Sequence, residues 1–86
     1  MKKVIKFYAE WCGPCRMYAP TFDKVAEKYK STIEFISINV DKDTDGLGAK
    51  YKVRNIPFTV VVKEDDTQVT KVGALSETQL EELIQS

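Results

Sequence analysis

The chain has no histidine, and among its 86 residues there are only two cysteines, three prolines and four glycines. Without imidazole, the side chain that ordinarily exchanges protons near neutral pH is missing. A closed four-ligand zinc site within one chain also lacks its usual donors. Net charge is absent too, since thirteen Lys plus Arg balance thirteen Asp plus Glu. A neutral surface gives no broad field to draw in nucleic acid or an anionic membrane, so neither is an expected partner. No apolar run approaches the roughly 18 residues that would suggest a membrane span. The positive start Met1-Lys2-Lys3 leads into an apolar run that Lys6 interrupts. A signal peptide is therefore not expected, and the cytoplasm is the expected location.

What is present is strongly patterned. Val4-Ile5-Lys6-Phe7-Tyr8-Ala9 is β-branched and aromatic, and reads as a strand with one anomalous polar residue, Lys6. From Cys12 onward, Cys15, Tyr18, Ala19, Phe22, Val25, Ala26 and Tyr29 recur at steps of three and four, which predicts a helix over 14–30. Pro20 inside it removes a backbone donor and predicts a kink or an irregular first half. Residues 33–40 read as a second strand, and 44–51 as a short helix weakened by Gly46 and Gly48. Residues 58–63 read as a strand buried on both faces, and 68–72 as a last strand, antiparallel to it because so few residues join the two. Ser76-Glu77-Thr78-Gln79 has the form of a capping box, with Leu75 and Leu80 placed as a hydrophobic staple and Leu80, Leu83 and Ile84 as the buried stripe. The order contains no repeat and no linker. It predicts a single domain, residues 1–86, with helices on both faces of a mixed sheet.

Trp11-Cys12-Gly13-Pro14-Cys15 places two thiols three residues apart where a strand hands over to a helix. The first amides of a helix have no intrahelical partner, and with the helix dipole they favour an anion, so Cys12 is the expected nucleophile. The spacing puts Cys15 one turn along on nearly the same face, able to attack a mixed disulfide on Cys12 and release the substrate as dithiol. Gly13 permits a close approach, Pro14 starts the helix without wasting a donor, and Arg16 adds a positive charge. The competing readings are a structural staple and half of a metal site. A staple across two intervening residues gains little loop entropy, and the chain lacks partner ligands for a metal.

These residues resemble the thioredoxin family. The similarity runs along almost the whole chain, through Ala9-Glu10-Trp11-Cys12-Gly13-Pro14-Cys15-Arg16-Met17, Arg54-Asn55-Ile56-Pro57 and Lys71-Val72-Gly73-Ala74-Leu75. The resemblance implies an α/β three-layer sandwich and a protein-disulfide reductase needing no cofactor beyond a redox-active Cys12-Cys15 disulfide. It implies disulfide-containing substrate proteins and either a flavin-dependent thioredoxin reductase or a glutaredoxin-type reducing system as partners, with the protein acting as a monomer. By the same match, Pro57 is cis and packs against the dithiol, while Trp11, Ile56, Pro57, Val72 and Gly73 line a substrate groove. Two alternatives stand beside this reading: a glutaredoxin-like enzyme turned over by glutathione, and a thioredoxin-fold binding subunit of a larger assembly.

The chain departs from the family in several places. Cys12 comes too early for the usual first strand and helix, so the expected sheet has four strands, in the order second, first, third, fourth, with three helices and the first pair parallel. Lys6 falls where a buried Asp is usual beneath the dithiol, and Ser37 where that Asp has a lysine neighbour. Either Lys6 snorkels to the surface from a partly exposed strand, or its ammonium lies near the thiols and favours thiolate. Phe58 replaces a small hydroxyl residue, either filling volume or shaping the groove. Finally, Asp41-Lys42-Asp43-Thr44-Asp45-Gly46 imitates the opening of a calcium loop. Its twelfth position is Lys52 rather than Glu, so helix capping and solvated charge are the expected roles.

Overall fold

Strand pairing begins earlier than hydrophobicity suggests. In the computed structural model, which describes residues 1–86, β1 spans Lys2–Tyr8, because Lys2 and Lys3 already sit opposite Ile33 and Glu34 of the parallel strand β2 (Ile33–Asn39). The helix between them, α1, spans Gly13–Tyr29. After β2 come one turn of 3-10 helix (Val40–Lys42), a short α2 (Leu47–Lys50), β3 (Phe58–Val62), β4 (Gln68–Val72) and α3 (Glu77–Gln85). The sheet order is β2-β1-β3-β4, parallel only between β1 and β2. This is the order and sense expected from the sequence.

Alternation along β1 and β3 divides the interior into two layers. On one face, Val4 and Val61 pack with Tyr18, Phe22 and Val25 of α1 and Leu80 and Ile84 of α3. On the other, Ile5, Phe7, Phe58 and Val60 lie under Ile36, Ile38, Leu47, Tyr51 and Ile56. Each fully buried large apolar side chain here is worth about 1.5–3 kcal/mol. Phe58 belongs to this second layer, with its ring centroid 6.4 Å from that of Phe7. It fills volume there and is not among the hydrophobic residues packed on the thiols.

A polar row interrupts the first layer. Ser37, Lys6, Thr59 and Lys71 are successive cross-strand partners at one level of the sheet. Thr59 is fully buried, and its hydroxyl shares a 2.7 Å hydrogen bond with the Tyr18 hydroxyl. Burial pushes the Tyr18 phenol up to about 12, against a smaller opposite pull from the Thr59 hydrogen bond.

Two helical expectations change. α1 is helical at every residue from Gly13 to Tyr29, so Pro20 produces no irregular first half; lacking an N–H, it forgoes the bond to the Arg16 carbonyl while the flanking turns continue. The helix expected over 44–51 shrinks to Leu47–Lys50 because Gly46 sits at φ 68°, a left-handed conformation that cannot continue a helix. The Asp43 carboxylate caps that turn, accepting from Leu47 N–H at 3.0 Å and Gly48 N–H at 2.7 Å. The run that imitates a calcium loop thus uses its central acid, Asp43, as the cap of α2. At the C-terminal end, Ser76 and Gln79 form the capping box, with the Gln79 N–H donating to Ser76 Oγ at 3.1 Å and the Ser76 N–H to Gln79 Oε1 at 2.9 Å.

Candidate active site

A sulfur caps α1. Cys12 has extended backbone angles (φ −89°, ψ 111°), and its Sγ accepts the Cys15 N–H at 3.2 Å, satisfying one of the amides that a helix start leaves without a partner. The first helical bond runs from the Arg16 N–H to the Cys12 carbonyl at 3.1 Å. Cys12 and Cys15 are joined in a disulfide, their Cα atoms 5.2 Å apart. Both are buried, Cys12 at 6% exposure and Cys15 at 2%. Cys12 is the more accessible of the two, and its sulfur is the one that caps the helix.

The strand β3 brings the second half of the site. The Ile56–Pro57 peptide is cis, and the Ile56 carbonyl oxygen lies 3.9 Å from Cys12 Sγ, in place to accept from a thiol there. The Pro57 carbonyl accepts the Gly73 N–H at 2.8 Å. Gly73 takes φ 104°, a conformation that side-chain-bearing residues rarely adopt, so glycine is required at that turn. Around these atoms Trp11 and Val72 stand out of the surface, 67% and 53% exposed. Ile56 packs on the cystine cluster. A Cβ at Gly13 would meet no atom within 4 Å, so the space beside the cystine is open there.

One contact had no sequence signal. Trp11 Nε1–H donates to Asp41 Oδ2 at 2.8 Å across thirty residues, and Asp41 is itself held by its N–H to Asn39 Oδ1 at 2.9 Å. Asp41 was legible only as one acid among several in a charged run. The Arg16 guanidinium donates to the Glu10 carbonyl at 2.8 Å, which commits its charge to the loop before the helix.

Behind the cystine lies a cavity of about 490 Å³ lined by Lys6, Tyr8, Cys15, Arg16, Asp23 and Ser37, among others. β1 is an interior strand and Lys6 is 5% exposed, so the strand that carries it is not the partly exposed one expected. Its Nζ lies 5.1 Å from the Tyr8 ring centroid and 4.8 Å from that of Phe22. Burial lowers the Lys6 pKa from its ordinary value, with the Asp23 carboxylate pulling it part of the way back.

Paired cysteines at a helix N-terminus, beside a mixed sheet with helices on both faces, define a dithiol oxidoreductase of the thioredoxin-like class. The thioredoxin family model matches residues 1–86. The chain is 43% identical over 77 residues to thioredoxin of Pseudomonas aeruginosa, covering 90% of this chain and 70% of that protein. It is 38% identical over 81 residues to thioredoxin of Haemophilus influenzae, covering 94% and 75%. Among solved structures, Fasciola hepatica thioredoxin superposes with a TM-score of 0.84 at 38% identity, covering 98% of this chain and 78% of that one. The chain belongs to the thioredoxin family, and it is a thiol-disulfide oxidoreductase working through Cys12 and Cys15.

Proposed function

We propose that the chain, as one domain over residues 1–86, reduces disulfides of protein substrates, with Cys12 the nucleophile and Cys15 the resolving thiol. The observation that carries the assignment is the hydrogen bond from the Cys15 amide to Cys12 Sγ, because a backbone donor aimed at that sulfur stabilises its thiolate. The Cys12 thiolate attacks one sulfur of a substrate disulfide, forming a mixed disulfide and expelling the other sulfur as thiolate. The Cys15 thiolate then attacks Cys12 Sγ. The internal disulfide forms, the second substrate sulfur leaves, and two electrons have passed to the substrate.

The exposed Trp11 and Val72, with Ile56, Pro57 and Gly73, form the docking surface for an extended substrate segment. Gly13 leaves that approach open, Pro14 fixes the helix start, and Arg16 braces the Glu10 loop. No cofactor beyond the cystine is needed, because a reductant such as a thioredoxin reductase restores the dithiol by the same exchange. We place this electron-transport role in the cytoplasm and the working form as a monomer.

Insulin reduction, followed by precipitation of the freed B chain, tests the assignment. Wild type is expected to turn over with dithiothreitol or a thioredoxin reductase, and Cys12→Ser to be inactive. In Cys15→Ser the mixed disulfide should accumulate. Full activity in Cys12→Ser would overturn the assignment.

A further inference from the structure

Lys6 is a charged residue of an interior strand that the exchange chemistry above does not use. The residue is 5% exposed, forms no salt bridge to Asp23, and lines the same cavity as Cys15. Resting on the dithiol reading above, we propose that Lys6 is a positioning residue for the resolving step, its charge in the shared cavity stabilising the thiolate form of Cys15.

The charged groups facing Lys6 are few. α1 contributes Asp23 and Arg16, the loop before it Glu10, and β1 the Tyr8 phenol. Its cross-strand neighbours Ser37 and Thr59 are neutral. Arg16 is engaged on the Glu10 carbonyl, and Asp23 acts on Lys6 through its field without a salt bridge. The faces of Tyr8 and Phe22 attract a cation and exclude water from its stem. An amine held there, with burial opposing its charge, gains from any negative charge that develops in the same cavity. Cys15 develops one when it resolves. Its thiol gives up a proton to the unprotonated amine, or to cavity water where Lys6 is already charged, and the end state is the same ammonium and thiolate. The thiolate then attacks Cys12 Sγ, the Cys12–substrate bond breaks, and the substrate sulfur leaves with the electron pair.

The sign of the effect on redox poise follows. A cation stabilises the thiolate of the reduced form and does nothing comparable for the neutral disulfide, so Lys6 makes the protein a weaker reductant than it would be without the charge. The coupling is reciprocal: forming the thiolate must raise the Lys6 pKa by as much as Lys6 lowers that of the thiol.

Two experiments test this. Equilibration of the folded protein with glutathione buffers, over a pH series from neutral up through the thiol range, compares wild type with Lys6→Met and Lys6→Arg. Lys6→Met is expected to be more reducing by about three- to tenfold in the equilibrium constant, which is about 14–30 mV for a two-electron couple, and Lys6→Arg to stay within about twofold of wild type. A Lys6→Met constant within about twofold of wild type overturns the proposal. Should Lys6→Met not fold, NMR of the Lys6 side chain in the unaltered protein decides. The amine is expected to titrate at higher pH in the reduced than in the oxidised form, and identical titrations overturn the proposal. Neither readout depends on insulin reduction, so loss of the reductase assignment and loss of the Lys6 role are separately detectable.

Discussion

Removing the Tyr18 hydroxyl tests how the polar row under α1 is stabilised. In Tyr18→Phe the aromatic volume stays, but the Thr59 hydroxyl, fully buried, loses the partner 2.7 Å away. A lost buried bond that leaves an orphan group costs about 1–2 kcal/mol. For a domain of this size each kcal/mol moves Tm by about 4–8 °C, so Tyr18→Phe is expected to melt about 4–16 °C lower. Thr59→Val orphans the other hydroxyl and is expected to cost a similar amount. The double variant removes both polar groups at nearly constant shape and is expected to recover much of the loss, a coupling of about 1 kcal/mol or more in a double-mutant cycle by calorimetry. There is also a signature in pH. The folded pKa of about 12 lies above the ordinary value of 10.0. Between these values the unfolded chain releases a proton that the folded one keeps, so this residue's contribution to stability is lost as pH rises through that window. Tyr18→Phe should show a shallower alkaline decline than wild type. Strictly additive losses in the cycle would refute the idea that the two hydroxyls satisfy one another.

Three further outcomes follow from other contacts. Asp43→Ala frees the Leu47 and Gly48 amides and is expected to cost about 0.5–2 kcal/mol, with amide exchange accelerating first at α2. The Tyr29 hydroxyl and then the Lys28 ammonium hold the Glu81 carboxyl below its ordinary 4.5, so its contribution is present above that pH and lost as pH falls through the lower folded value; Glu81→Gln should flatten the acid limb of a Tm-against-pH curve. Trp11 is the sole tryptophan, so Asp41→Ala, which removes its indole acceptor at 2.8 Å, is expected to change the fluorescence of the folded protein directly and to raise KM for insulin more than it lowers kcat.

The parts of this fold that were legible in the sequence are those decided within a few residues or carried by the family resemblance. The Ser76–Gln79 box closes over one turn and the two cysteines cap and follow one helix start, while the place of β2 beside β1 was read through the family resemblance. Residues whose roles depend on distant partners were not legible. Hydrophobicity put the start of β1 at Val4, but the ladder with β2 recruits two lysines before it. The run from Asp41 to Gly46 gave no sign that its first acid would reach Trp11 or that its second would cap α2, because both roles depend on how the loop folds back. Lys6 was conspicuous from the start as a charge in an apolar strand. Only the interior place of β1 in the sheet shows that it is enclosed with Cys15.

The sulfur at the start of α1 ties the chemistry to the mechanics of the backbone. An amide donating to a thiolate is held more firmly than one donating to a disulfide sulfur, and a mixed disulfide on Cys12 removes the negative charge again. Each catalytic turn therefore tightens and loosens the first turn of a seventeen-residue helix that packs against both β2 and α3. By linkage, whatever free energy the helix start lends to the thiolate is returned as added grip on the helix in the reduced protein. The Cys15 amide proton is accordingly a built-in gauge: its exchange rate reports whether Cys12 is a free thiolate or is held in a disulfide.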